Sequence, residues 1–144
     1  MNQPARAVLF ACTYNTVRSP MAEALLRHFH GLTVRVRSVG VFRGEPDPFA
    51  AAAMEEIGID IARHKPATFE ELEDSRFDLV IALSPEAQHH AVEMTRAAAR
   101  EAVFWNTLDP TLVEGSRETR IEAYRGVRDQ LKRRILERFP LSPT

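Results

Sequence analysis

Short apolar runs alternate with helical periodicities along the chain. The run Ala7-Val8-Leu9-Phe10-Ala11, within residues 6–11, predicts a buried strand. Ala22, Leu25, Leu26 and Phe29 then recur at helical spacing, with Ser19 as the expected N-cap, Pro20 at the first helical position and Gly31 closing the helix. Residues 33–38 alternate polar and apolar, as a half-exposed strand near a sheet edge would. Two glycines and two prolines mark 40–48 as a loop, and 49–57 reads as a helix ended by Gly58. Thr68-Phe69-Glu70-Glu71 has the form of a capping box, predicting a short helix to about residue 75. Residues 77–83 form the clearest central strand. Ser84-Pro85 repeats the helix-start signal, for a helix running to about 98. A fourth strand is expected over 101–105. A loop to about 116 precedes a long final helix carried by Ile121, Tyr124, Val127, Arg128, Leu131 and Ile135.

Strands that alternate with helices imply an α/β fold, a parallel sheet with helices on both faces. The carboxyl ends of its strands share one edge, where ligands usually bind. The loops 12–18, 39–48, 84–86 and 106–116 meet there, which brings Cys12 and Asp109 to one edge.

Length and composition add exclusions. A chain of 144 residues, 44% hydrophobic and 27% charged, suits one folded domain over 1–144. The net charge of −1 makes no global case for nucleic acid or an anionic membrane surface as partner. No apolar stretch is long enough to span a membrane, and the start lacks the makings of a signal peptide, so a cytoplasmic protein is expected. The tail 139–144 is expected to fray. Of nineteen cations only Lys65 and Lys132 are lysines. The arginines of the final helix are interspersed with acids and read as a solvated, ion-paired face. Arg43 lies in a loop beside the expected site, as a solvated charge or as an attractor of anions. Phe42 and Phe49 lie near that loop, for packing or for stacking on a substrate ring. The five histidines, His28, His30, His64, His89 and His90, read as structural or surface residues, and no metal site is expected. A single cysteine, Cys12, rules out an intramolecular disulfide and a cysteine-rich zinc site.

The segment between the first strand and first helix carries the chemistry: Cys12-Thr13-Tyr14-Asn15-Thr16-Val17-Arg18-Ser19. A loop feeding a helix N-terminus offers free backbone amides and the positive end of the helix dipole. That favours a bound oxyanion, and it favours thiolate over thiol. Arg18 supplies a planar fork for two oxygens of a tetrahedral anion. Ser19 can hydrogen-bond the sulfur. Asn15 can bond nearby backbone and hold an unusual dihedral.

The run Val8 to Cys12, continued by Arg18-Ser19-Pro20-Met21-Ala22-Glu23-Ala24, resembles the signature of the low-molecular-weight protein tyrosine phosphatases. Thioredoxin-coupled arsenate reductases share that fold and loop. The resemblance extends through Ser38-Val39-Gly40, Gly58-Ile59-Asp60, His64-Lys65-Pro66, Phe77-Asp78-Leu79-Val80-Ile81 and Asp109-Pro110. It implies a three-layer α/β fold with a four-stranded parallel sheet in the order 2-1-3-4. It also implies hydrolysis of phosphomonoesters, protein phosphotyrosine above all. Cys12 would be the nucleophile, Arg18 and the amides of residues 13–19 the oxyanion cradle, and Asp109 the general acid and then base. No metal and no cofactor would be needed.

Some positions depart from the family pattern. Tyr14 stands where glycine is usual, Val17 replaces a second loop cysteine, and Thr111-Leu112 stand in place of paired tyrosines. Residues 104–110 and 124–129 resemble the arsenate-reductase branch equally. Two alternatives therefore stay open: a single-cysteine arsenate reductase using an external thiol, and an anion-binding module with a weakened site.

Overall fold

Alternating side chains of β1 (Ala7–Cys12) supply both cores of the molecule. Val8, Phe10 and Cys12 face one way, into a core shared with α1 (Arg18–His30), α2 (Pro48–Glu55) and α4 (Arg117–Arg138). Leu9 and Ala11 face the other way, into a smaller core with Ala87 and Ala91 of α3 (Pro85–Met94). A strand buried on both faces reads as a continuous apolar run, which is why this one was legible. The computed structural model describes residues 5–72, 76–96 and 99–141.

The sheet is parallel and four-stranded. Its order is β2 (Arg35–Gly40), β1, β3 (Phe77–Ala82), β4 (Ala99–Phe104). In register Cys12 lies beside Gly40, and Ala11 beside Ala82. Three strands therefore end level at one edge, and their following loops converge there. Among the described residues no helix is long and apolar enough to cross a membrane, and no group of three or more potential ligands is placed to hold a metal ion.

Several boundaries differ from the expected ones. β2 starts at Arg35 rather than Thr33, because the amides of Thr33 and Val34 still bond the His30 carbonyl at the end of α1. The capping box of Thr68 and Glu71 exists, but it opens only a 3-10 turn over Phe69–Glu71, and residues 73–75 of the expected helix lie outside the described residues. α3 ends at Met94, capped by Thr95 rather than near 98; residues 97 and 98 lie outside the described residues. β4 begins at Ala99, two residues before its expected start. The tail expectation fails at Phe139, which is buried; its amide bonds Ile135 and its carbonyl meets His30 Nε2 at 2.8 Å. Residues 142–144 lie outside the described residues.

Candidate active site

β1 ends at Cys12 and α1 begins at Arg18, so residues 13–17 must turn within a few ångströms of the sulfur. Ser19 is not the helix N-cap that the sequence suggests; Val17 holds that position, without a side-chain cap. The Ser19 hydroxyl lies instead 2.9 Å from Cys12 Sγ, and the Ser19 amide donates to the same sulfur at 3.4 Å. The sulfur thus lies against the first turn of α1. The Ser19 hydroxyl oxygen accepts from Asn15 Nδ2 at 2.8 Å, which leaves its proton for the sulfur or for the Val39 carbonyl.

Asn15 holds the tightest point of the loop. Its φ of 58° is left-handed, a conformation that asparagine tolerates better than most residues. Its side chain is tied from every direction. Nδ2 also donates to Ser38 Oγ at 3.0 Å, and Oδ1 accepts from the Ala67 amide at 2.9 Å and from His64 Nε2 at 3.0 Å. Ser38 in turn donates to Glu23 at 2.7 Å, and His64 Nδ1 lies 3.7 Å from the same carboxylate. Thr13 donates toward Ser84 and Glu86, both at 3.1 Å. Thr16 is half-buried and Val17 buried. Gly40 lies so close that a Cβ there would meet the Asn15 amide at 2.8 Å.

Arg18 connects this loop to the one after β4. It is buried, and it donates to the Thr107 carbonyl at 3.0 Å and to Thr13 Oγ1 at 3.4 Å. Those bonds leave further guanidinium N–H donors for a bound anion. Its Nη2 also lies 3.8 Å from Asp109 Oδ2. Asp109 fills two roles at once. Oδ1 accepts from the Thr111 amide and hydroxyl at 3.0 and 2.7 Å, as an Asp-Pro turn would have it, while Oδ2 faces Arg18. Cys12 thus meets Ser19, and the preceding residue, Arg18, faces Asp109.

The rim differs from the floor. Tyr14 is 50% exposed and points out of the loop, with its ring 5.9 Å from that of Phe42, which is 56% exposed. Leu108 and Leu112, flanking Asp109, are 62% and 75% exposed. Phe49 is a packing residue; its ring stacks on Tyr124 at 5.3 Å. Arg43 is paired with Glu71.

Part of the site escaped the sequence reading. Glu23 and Ser38 stand in the sequence only as parts of segments that resemble the family, and His64 reads as a structural or surface residue. Asp47, which caps α2 and accepts from the Tyr124 hydroxyl at 2.7 Å, was also missed. An Asp before Pro48 was the available cue for the cap. Burial, and then the bond to Asp47, push the Tyr124 phenol well above its ordinary range.

A cysteine sulfur at the strand end, the Ser19 amide on it, a buried guanidinium nearby and a carboxylate beyond it suit transfer of a tetrahedral oxyanion. Over residues 7–138 the chain matches the family described as low molecular weight phosphotyrosine protein phosphatase. An arsenate reductase of Halalkalibacterium halodurans is 34% identical over 132 residues, covering 90% of this chain and 92% of that protein. A protein-arginine-phosphatase of Bacillus subtilis is 36% identical over 142 residues, covering 87% of this chain and 89% of its own length. The solved structure of an arsenate reductase in its phosphate binding state superposes with a TM-score of 0.79 at 28% identity, over 95% of this chain and 99% of that one. Sheet order, the loop after β1 and a match spanning nearly every residue agree: the chain belongs to the low molecular weight phosphotyrosine protein phosphatase family.

Proposed function

We propose that the whole chain acts as one domain that hydrolyses phosphorylated protein side chains, phosphotyrosine foremost, through a cysteinyl-phosphate. The carrying observation is the set of contacts linking Cys12 to Ser19 at 2.9 Å and Arg18 to Asp109 at 3.8 Å. Cys12 thiolate attacks phosphorus in line with the leaving oxygen. The amides of residues 13–19 and the Arg18 guanidinium hold the three equatorial oxygens and the charge that develops on them. Asp109 gives its proton to the leaving phenolate oxygen as the P–O bond breaks. It then takes a proton from water, which displaces Cys12 from phosphorus and releases phosphate. No step uses a metal ion or a cofactor. A lone reactive thiol also survives best in a reducing compartment, which supports a cytoplasmic setting.

The rim supports a protein substrate. Four of the large exposed apolar side chains, Tyr14, Phe42, Leu108 and Leu112, stand on loops at this edge. An inorganic oxyanion has no use for them, whereas the paired rings of Tyr14 and Phe42 offer an aromatic leaving group a surface to stack on. Tyr14 turns outward, so the position gives no ground for a weakened loop.

Arsenate reduction with an external thiol is the second reading, favoured by the 34% identical reductase. There Cys12 would bind arsenate through sulfur. An external thiol would attack that sulfur to form a mixed disulfide and release arsenite, and a second thiol would regenerate Cys12. The test runs both assays on one preparation. We expect aryl-phosphate turnover that disappears in Cys12→Ser, and no arsenite with glutathione and glutaredoxin. Arsenite formation without aryl-phosphate turnover reverses the assignment.

A further inference from the structure

Two arginines in the first turn of α4 share one aromatic ring, as no other pair of cations on that helix does among the described residues. Arg125 and Arg128 are held by Glu56, and Arg138 approaches Glu101. Arg117 and Arg120 are exposed and form no ion pair among the described residues. Both guanidinium groups lie over one ring, that of Phe49, at 5.3 and 4.6 Å from its centroid. They are therefore within about one Debye length of each other, roughly 10 Å at 0.1 M salt, and repel. The positive end of the helix dipole adds to that repulsion. Nearby acids do not relieve it. Asp47 is taken up by Tyr124 and the α2 amides, and Glu118 by Arg125. Glu45 and Glu114 are exposed on the flanking loops and reach neither arginine at ion-pair distance.

The position of this pair is informative. Phe49 stacks on Tyr124 of α4, and α4 packs against the Pro110–Leu112 turn that Asp109 caps. The arginines thus flank the Asp109 side of the mouth. A leaving group protonated by Asp109 departs on that side, so the peptide that bears it must lie there. We infer that Arg117 and Arg120 form a clamp for an acidic side chain, Asp or Glu, of the phosphoprotein substrate, a few residues from the phosphorylated one. This rests on the phosphoprotein reading above. A carboxylate between two guanidinium forks gains charge-assisted hydrogen bonds and relieves their mutual repulsion.

The test uses fluorescein-labelled phosphotyrosyl peptides that differ only in Glu or Gln flanking the phosphotyrosine. Binding to the Cys12→Ser protein is followed by anisotropy, and aryl-phosphate turnover is measured in the protein that retains Cys12. We expect the Glu peptide to bind about fivefold more tightly than the Gln peptide at low salt, with the preference fading as salt rises. Adding Arg117→Gln and Arg120→Gln should make the two peptides equal, and the same pair in the active protein should leave aryl-phosphate turnover unchanged. If aryl phosphate is hydrolysed but the peptides bind alike, or neither binds, only the clamp is overturned. A preference that survives the double substitution also overturns it. If aryl phosphate is not hydrolysed and neither peptide binds, the phosphoprotein reading falls and the clamp falls with it.

Discussion

Cys12 Sγ, the Ser19 hydroxyl and Asn15 Nδ2 make a short chain of hydrogen bonds in which each group fixes the next. Asp109 stands outside that chain, and in the proposed mechanism it moves protons at the leaving group and then at the attacking water. Asp109→Asn should therefore lower kcat for aryl phosphates by about 10²–10⁴-fold and leave KM within a few fold. A change confined to KM would remove it from the proton-transfer role. Gly40 tests the backbone instead. Its missing Cβ makes room for Asn15 and for the Tyr14 carbonyl carbon, at 2.8 Å from where that atom would sit. Gly40→Ala should displace the loop and cost about 10²-fold in kcat/KM, with a far smaller effect on Tm. At this scale the meeting of Cys12, Arg18 and Asp109 at one edge was legible, because the loops after parallel strands share that edge. Glu23 and Ser38 were not, because a buried hydrogen bond between residues fifteen positions apart leaves no local pattern.

Helix α4 packs its apolar stripe of Ile121, Tyr124, Val127, Leu131 and Ile135 into the larger core. It is also tied to the end of α2 through Glu56. Arg125 and Arg128 both bond that carboxylate and hold it at about 2, against an ordinary 4.5. A folded-state value below the ordinary one stabilises the fold at pH above 4.5. That contribution is lost as pH falls toward 2. Glu56→Gln should thus lower Tm slightly at neutral pH, with the gap from the natural protein closing between pH 4.5 and about 2. Thermal melts across that range measure it, and a gap independent of pH would assign the effect to packing. The expectation of an ion-paired face on this helix fits Arg125, Arg128 and Arg138, but among the described residues not Arg117, Arg120, Arg133 or Arg134. Sequence spacing places charges on a helix; it does not say which acid of another element will meet them.

The two cores hold the sheet from opposite faces, and the candidate site sits on the rim where both end. Leu25 lies fully buried in the larger core. Leu25→Ala should cost about 2–5 kcal/mol of unfolding free energy. Denaturant titration at constant m-value checks this, and residual activity per folded molecule should be kept, since Leu25 lies about two turns along α1 from the loop. The chain itself determined which segments are strands and helices, since hydrophobic period decides what can be buried. It also marked Cys12 as the candidate nucleophile, since a lone cysteine stands just before a helix N-terminus. Only the tertiary structure decided what Ser19 does, because a hydroxyl can bond a backbone amide or a sulfur, and β1 beside β2 brings the sulfur within reach. It alone decided that Arg18 would hold Thr107 and face Asp109, since contacts across eighty-nine residues exist only once β3 and β4 have paired.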